Sequence, residues 1–135
     1  MTAHDLIKKH EGLELFPYRC SANKLSLGYG RNLDDVGITI SEAEMLLDND
    51  ISKCRQQLSA MNLSTKLNDA RYAAVIDMIY NLGFAGFLKF TRMIYALESR
   101  DFKTAAREML DSKWATQVGS RADELAEIIK TGNLE

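Results

Sequence analysis

The chain reads as an α+β protein, mostly helical, with one short helix, a small antiparallel sheet and a helical body to the end. Three observations predict this class. Residues 13–30 fall into two short runs that alternate apolar and polar side chains, LELFPYR and KLSLGYG, separated by the turn-forming SANK. From Ser41 onward the apolar residues recur at three- and four-residue intervals. Capping residues precede the helical stretches, and glycines follow several of them.

Each element has its own justification. Ala3, Leu6 and Ile7 share one face of a helix over residues 3–11, with Thr2 and Asp5 as a capping box and Gly12 as the stop. Pro17 has no N–H to give to a ladder, so the strand that contains it belongs at a sheet edge. Ser41 and Glu44 predict a second capping box, opening a helix with Leu47, Ile51, Cys54 and Leu58 on its apolar face. In NDARYAAVIDMIYNLG the stripe is Tyr72, Val75, Ile76, Ile79 and Tyr80, and Gly83 ends it. Further helices are expected over 91–99, 101–113 and 120–131, the last opened by Ser120 with Asp123 and closed by Gly132. The domain reading is a single domain over 1–135. Its small lobe covers about 13–40, and its helical lobe covers about 60–135 plus the N-terminal helix. A groove between sheet and helices is the expected ligand site.

Bulk properties remove several function classes. With 46% apolar residues, one proline and no low-complexity run, the 135-residue chain can build a core. The net charge is −2 with both signs interleaved, so no basic face is offered to nucleic acid. No apolar run approaches the roughly 20 residues that span a bilayer, and MTAHDLIKKHEG has no export-type apolar core. The chain is therefore expected to accumulate in the cytoplasm of the cell that makes it. Cys20 and Cys54 are too few for a disulfide framework, and His4 and His10 form no metal-ligand pattern. No metal is expected.

The chemistry concentrates in HEGLELFPYRCSANKLSLGYGRN, residues 10–32. Hydrolysis of a glycosidic bond needs a carboxylic acid to protonate the leaving oxygen and a second group to activate water or attack the sugar. Glu11 sits where helix gives way to sheet. It is either a solvated glutamate or an acid whose proton affinity partial burial would raise. Cys20 is either a small packed hydrophobe or a thiol serving as base or nucleophile. Ser26 alternates with Leu25 and Leu27, so its hydroxyl faces away from them, into the groove or into solvent.

The same window resembles the catalytic segment of the phage-type lysozymes, glycoside hydrolase family 24. That family's pattern is EGL, a tyrosine, an Asp or Cys nine residues after the Glu, and a Thr six further on within TIGYGH. Here Glu11, Tyr18, Cys20, Ser26 and Gly28-Tyr29-Gly30 fall in register. RYAAVIDMIYNLG at 71–83, the pair Phe90–Thr91, and SKWATQVGSRA at 112–122 agree as well, so the resemblance covers essentially the whole chain.

The resemblance implies a lysozyme-like fold with a cleft between its two lobes. It also implies a muramidase that cleaves the β-1,4 bond between N-acetylmuramic acid and N-acetylglucosamine, as a phage or prophage endolysin. Glu11 would be the general acid, Cys20 the second catalytic residue, and Ser26 the hydroxyl that helps hold the attacking water. Asn32, Tyr80, Asn81, Gln117 and Arg121 would contact the substrate, with Arg121 reaching the catalytic glutamate. Arg31 stands where the family usually has histidine. Cofactors are not needed, since an acid and an activated water suffice. The partner is peptidoglycan, met by a monomer after a holin opens the membrane, first from the host cytoplasm and then in the periplasm and wall. Two alternatives are a lytic transglycosylase, in which the sugar's own hydroxyl attacks, and a wall-binding module without catalysis.

Overall fold

Thr2 starts the first helix by a purely local device. In the computed structural model, which describes residues 1–134, the Thr2 hydroxyl accepts from the Asp5 amide at 3.2 Å and the Thr2 amide donates to the Asp5 carboxylate at 3.0 Å. Helix α1 (Ala3–Glu11) then runs to Gly12, whose φ of 71° turns the chain while its amide donates to the Lys8 carbonyl.

Strands β1 (Glu14–Arg19), β2 (Leu25–Gly28) and β3 (Arg31–Asn32) follow, paired antiparallel in the order β1-β2-β3. Pro17 lies on edge strand β1, inside the stretch between Glu14 and Tyr18 where the register slips. The third strand was not anticipated; at two residues it is too short for alternation to show.

Helix α2 (Ile40–Ser59) opens two residues earlier than the expected Ser41–Glu44 box. The cap is Thr39 with Glu42: the Glu42 amide donates to Thr39 Oγ1 at 3.1 Å, and the Thr39 amide donates to Glu42 Oε1 at 2.9 Å. Arg31 holds Glu42 in that role, its guanidinium donating fork-wise to the two carboxylate oxygens at 2.9 and 2.6 Å.

The chain divides into two compact units, Met1–Leu46 and Leu47 onward, with the border inside α2. Helix α1 groups with the sheet in the first unit, whereas the sequence reading attached it to the helical lobe. The second unit holds a 3₁₀ turn (Ser64–Lys66), α3 (Asp69–Leu82), α4 (Phe84–Leu88), α5 (Thr91–Glu98), α6 (Phe102–Leu110), α7 (Lys113–Val118) and α8 (Ser120–Thr131). Its core buries Leu58, Leu63, Val75, Met78, Ile79, Phe87, Met93, Leu97, Met109 and Ile129 almost completely. Each such side chain contributes about 1.5–3 kcal/mol of burial.

Helix α3 buries Val75, Ile76 and Ile79 as expected, but Tyr72 is only half-buried and Tyr80 stays 46% exposed. The two tyrosines flank the buried arc, whose centre is filled by Ala74, Val75, Met78 and Ile79. The expected 101–113 helix ends at Leu110, because Ser112 leaves helical geometry to cap α7 by accepting from the Ala115 amide at 3.1 Å. Helix α8 starts from Gly119 at φ 65° with no side-chain cap, so Ser120 and Asp123 form no box. Its far end is fastened. Arg71 donates to the Ile129 and Lys130 carbonyls at 2.7 and 3.2 Å, and Asn68 donates to that of Gly132 at 3.0 Å.

Candidate active site

The first unit carries three candidate catalytic side chains. Glu11 is the last residue of α1, placed there by the Thr2 cap and the Gly12 turn. The partial burial considered for it is not found: Glu11 is exposed, with its carboxylate against the backbone of Gly30.

Cys20 closes the β1–β2 hairpin. Its amide donates to the Lys24 carbonyl at 2.9 Å and its carbonyl accepts from Asn23 at 2.8 Å. Asn23 ends the three-residue loop at φ 60°, a left-handed conformation that asparagine tolerates. The thiol is half-buried rather than packed away. The backbone N–H groups of Lys24 and then Ala22 hold its pKa below the ordinary thiol value, with a smaller contribution from the Ser26 hydroxyl, while partial burial opposes them. Cys54 is the opposite case: buried at 7% exposure, its thiol pushed up by desolvation and then by Asp50.

Ser26 was expected to turn its hydroxyl to groove or solvent. It is instead 2% exposed, and its Oγ donates to the Lys24 carbonyl at 3.2 Å, on the side of the hairpin where Cys20 lies. The second strand is covered where Ser26 sits, so an outward-facing hydroxyl is not available there. Asn32 is engaged locally as well. Its Oδ1 accepts from the Asp35 amide at 3.1 Å and its Nδ2 donates to the Asp35 carboxylate at 2.9 Å, which caps the turn after β3.

The remaining expected site residues belong to the second unit. Tyr80, Asn81 and Gln117 are exposed. Asn81 Oδ1 accepts from Trp114 Nε1 at 2.7 Å, and Trp114 itself is buried, edge-on to Phe90 with ring centroids 6.0 Å apart. Within this unit Arg121, the residue expected to reach Glu11, is bound by Asp77: Nε at 2.8 Å and Nη2 at 2.6 Å, both to Oδ1. Asp77 lies on α3, on the flank of its apolar stripe, and periodicity gave no signal for it. Tyr80, Asp77 and Arg121 line a cavity of about 730 Å³ within this unit, along with Arg55, Asp69 and Tyr72. Sequence reasoning also missed the Arg31–Glu42 pair. It holds the Glu42 carboxyl at about 2, through Arg31 first and the Thr39 amide second. Among the described residues no group of three or more His, Cys, Asp or Glu is placed to hold a metal ion.

Known proteins resemble this chain in sequence. A family model described as Phage lysozyme matches residues 8–127. An endolysin of Acyrthosiphon pisum secondary endosymbiont phage 1 is 32% identical over 135 residues, covering 96% of this chain and 89% of that protein. A Dictyostelium discoideum protein named "Probable T4-type lysozyme 1" is 33% identical over 101 residues, 72% of this chain and 59% of its own length. The pre-baseplate central spike protein Gp5 of Enterobacteria phage T4 is 30% identical over 102 residues, 73% of this chain but 18% of that protein.

Proposed function

This chain belongs to the phage lysozyme family, and from that premise we propose that it hydrolyses the β-1,4 bond between N-acetylmuramic acid and N-acetylglucosamine of peptidoglycan, lysing the host as an endolysin. Cell-wall lysis of the lysozyme type is what the family membership itself conveys. The observation that supports the finer reading is that Glu11 at the end of α1, Cys20 in the β1–β2 hairpin and Ser26 on β2 all belong to the small-sheet unit, with the Cys20 thiol half-buried rather than packed away.

In this reading Glu11 protonates the leaving glycosidic oxygen. Cys20 acts as the thiolate that takes a proton from the attacking water or meets the developing positive charge on the sugar. Ser26 steadies the thiolate and the water next to it. Asn32, Tyr80, Asn81, Gln117 and Arg121 contact the glycan, with Asn32 held in place by its two bonds to Asp35. Among the described residues no helix is long and apolar enough to cross a membrane. In this reading the enzyme passes from the host cytoplasm to the wall through a separate lesion of the holin type, as endolysins of the family it resembles do, and acts there as a monomer.

Mass spectrometry of digested peptidoglycan tests the reaction. New reducing N-acetylmuramic acid ends support hydrolysis at the proposed bond. Ends carrying a 1,6-anhydro sugar would replace the proposal with a transglycosylase, and no cleavage by folded protein would leave only a wall-binding module.

A further inference from the structure

Two glycines of the first unit, Gly28 and Gly30, share one backbone conformation and differ in what surrounds them. Their φ angles are +72° and +75°, so either position strains any L side chain by about the same amount. A Cβ built on Gly28 meets nothing within 4 Å. A Cβ built on Gly30 would lie 2.9 Å from Cδ and 3.3 Å from Cγ of Glu11, and closer still to its Oε2. The backbone of residue 30 thus forms the wall against which the Glu11 carboxylate rests.

A second contact ties the same two elements. Lys8 precedes Glu11 by three residues on α1, so the two project from one side of the helix. Its Nζ lies 5.2 Å from the centroid of the Tyr29 ring, next to Gly30. The last turn of α1 is therefore docked on the β2–β3 turn at two adjacent points.

Building on the reading of Glu11 as the acid, we infer that Gly30 is a positioning residue, whose missing side chain leaves the seat that sets where the Glu11 carboxyl points. Gly28 is required for the turn alone. An alanine at 30 would displace the carboxyl by about the width of a methyl group, and misplacements near 1 Å cost about 10²-fold in rate.

The test compares full-length Gly30→Ala, Gly28→Ala, Glu11→Ala and the Gly30→Ala/Glu11→Ala pair, reading thermal midpoint, kcat and KM on purified peptidoglycan. Both single glycine variants should lose a few degrees from the shared backbone strain. Gly28→Ala should keep its kcat. Gly30→Ala should lose about 10²-fold in kcat with KM little changed, and should melt below Gly28→Ala. In the Glu11→Ala background that extra thermal loss should vanish, because the group in the way is gone. Should Gly30→Ala not fold, a folded double variant supports the seat, and failure of both while Gly28→Ala folds overturns it. Equal kcat losses in the two glycine variants, or a thermal loss at Gly30 that Glu11→Ala does not relieve, would also overturn it. The thermal coupling is read without activity. Coupling together with a fully active Glu11→Gln would remove the acid and leave the seat; a dead Glu11→Gln without coupling would do the reverse.

Discussion

Exchanging Cys20 for aspartate should preserve lysis and move its pH window, whereas exchanging it for alanine should abolish most of it. The hairpin offers the N–H groups of Lys24 and Ala22 and the Ser26 hydroxyl to an anion at position 20, and a carboxylate accepts such donors as a thiolate does. Catalysis requires one proton on the pair: Glu11 must carry it and residue 20 must not. Activity then ends on the alkaline side where the pair loses its last proton. With cysteine at 20, that edge is set by the thiol. An ordinary thiol ionises near pH 8.5 and an ordinary aspartate near 3.9, a difference of about 4.6 pH units. The loop donors already hold Cys20 below the ordinary thiol value, which shortens the move without changing its sign. The alkaline edge of Cys20→Asp should therefore fall into the carboxylate range, with its maximum at acid pH. Cys20→Ala, lacking any base, should lose about 10²–10⁴-fold at every pH. The assay is turbidity clearing of outer-membrane-permeabilised cells across pH, with thermal midpoints run alongside. Alkylation should inactivate the wild type and spare the aspartate variant, with Cys54 at 7% exposure as the slow-reacting control. An alanine variant more active than the aspartate variant, or an alkaline edge that stays put in Cys20→Asp, would refute the catalytic reading of the thiol.

Other outcomes follow from the same structure. Glu11→Gln keeps shape but has no proton to donate, so clearing should fall about 10²–10⁴-fold with an unchanged thermal midpoint; near wild-type clearing would remove Glu11 from the chemistry. The Glu42 carboxyl, held at about 2, lies below its unfolded value near 4.5. Its stabilising effect is complete above that unfolded value and is lost as pH falls toward 2, so acid melting curves of Arg31→Ala should be flatter than those of the wild type over that window. Arg31→His should add the opposite loss, because a histidine paired with Glu42 gives up its charge as pH rises past about 6.5; a midpoint constant from pH 5 to 8 would contradict this. Trp114→Phe removes the 2.7 Å bond to Asn81 and should cost about 0.5–1.5 kcal/mol in denaturant titration. The Arg121–Asp77 pair is about 40% exposed on both sides, and a double-mutant cycle should return at most about 1 kcal/mol after solvent screening.

What could be read from sequence depended on how local the cause was. The Thr2–Asp5 cap and the Gly12 stop involve residues three to four apart, and α1 came out with its observed ends. The start of α2 shows the opposite. Thr39-x-x-Glu42 and Ser41-x-x-Glu44 both fit a capping box, and what decides between them is Arg31, eleven residues upstream. Helices α4 and α7 span five and six residues, too few for a 3.6-residue period to declare itself. At the candidate site, spacing left Glu11, Cys20 and Ser26 each with a bland reading, and only the ordered match to a family joined them. Even then the inward turn of Ser26 and the capture of Arg121 by Asp77 were out of reach, since both depend on tertiary neighbours.

The grip of Arg71 and Asn68 on the end of α8 bears on how this unit comes into being. The bonds join residues 58 to 64 positions apart, so they cannot form until nearly all of the intervening chain is present. During synthesis at about 5–20 residues per second, α3 is complete several seconds before its partner carbonyls exist. Through that interval the Arg71 guanidinium, which also lies 3.6 Å from the centroid of the Phe102 ring, waits without the carbonyl acceptors that later fix it. Ribosome-bound chains halted before Ile129 should consequently be cut by protease within α3–α6, and chains extended past Gly132 and clear of the exit tunnel should resist. The last helical turn is the latch that converts a set of helices into a closed body.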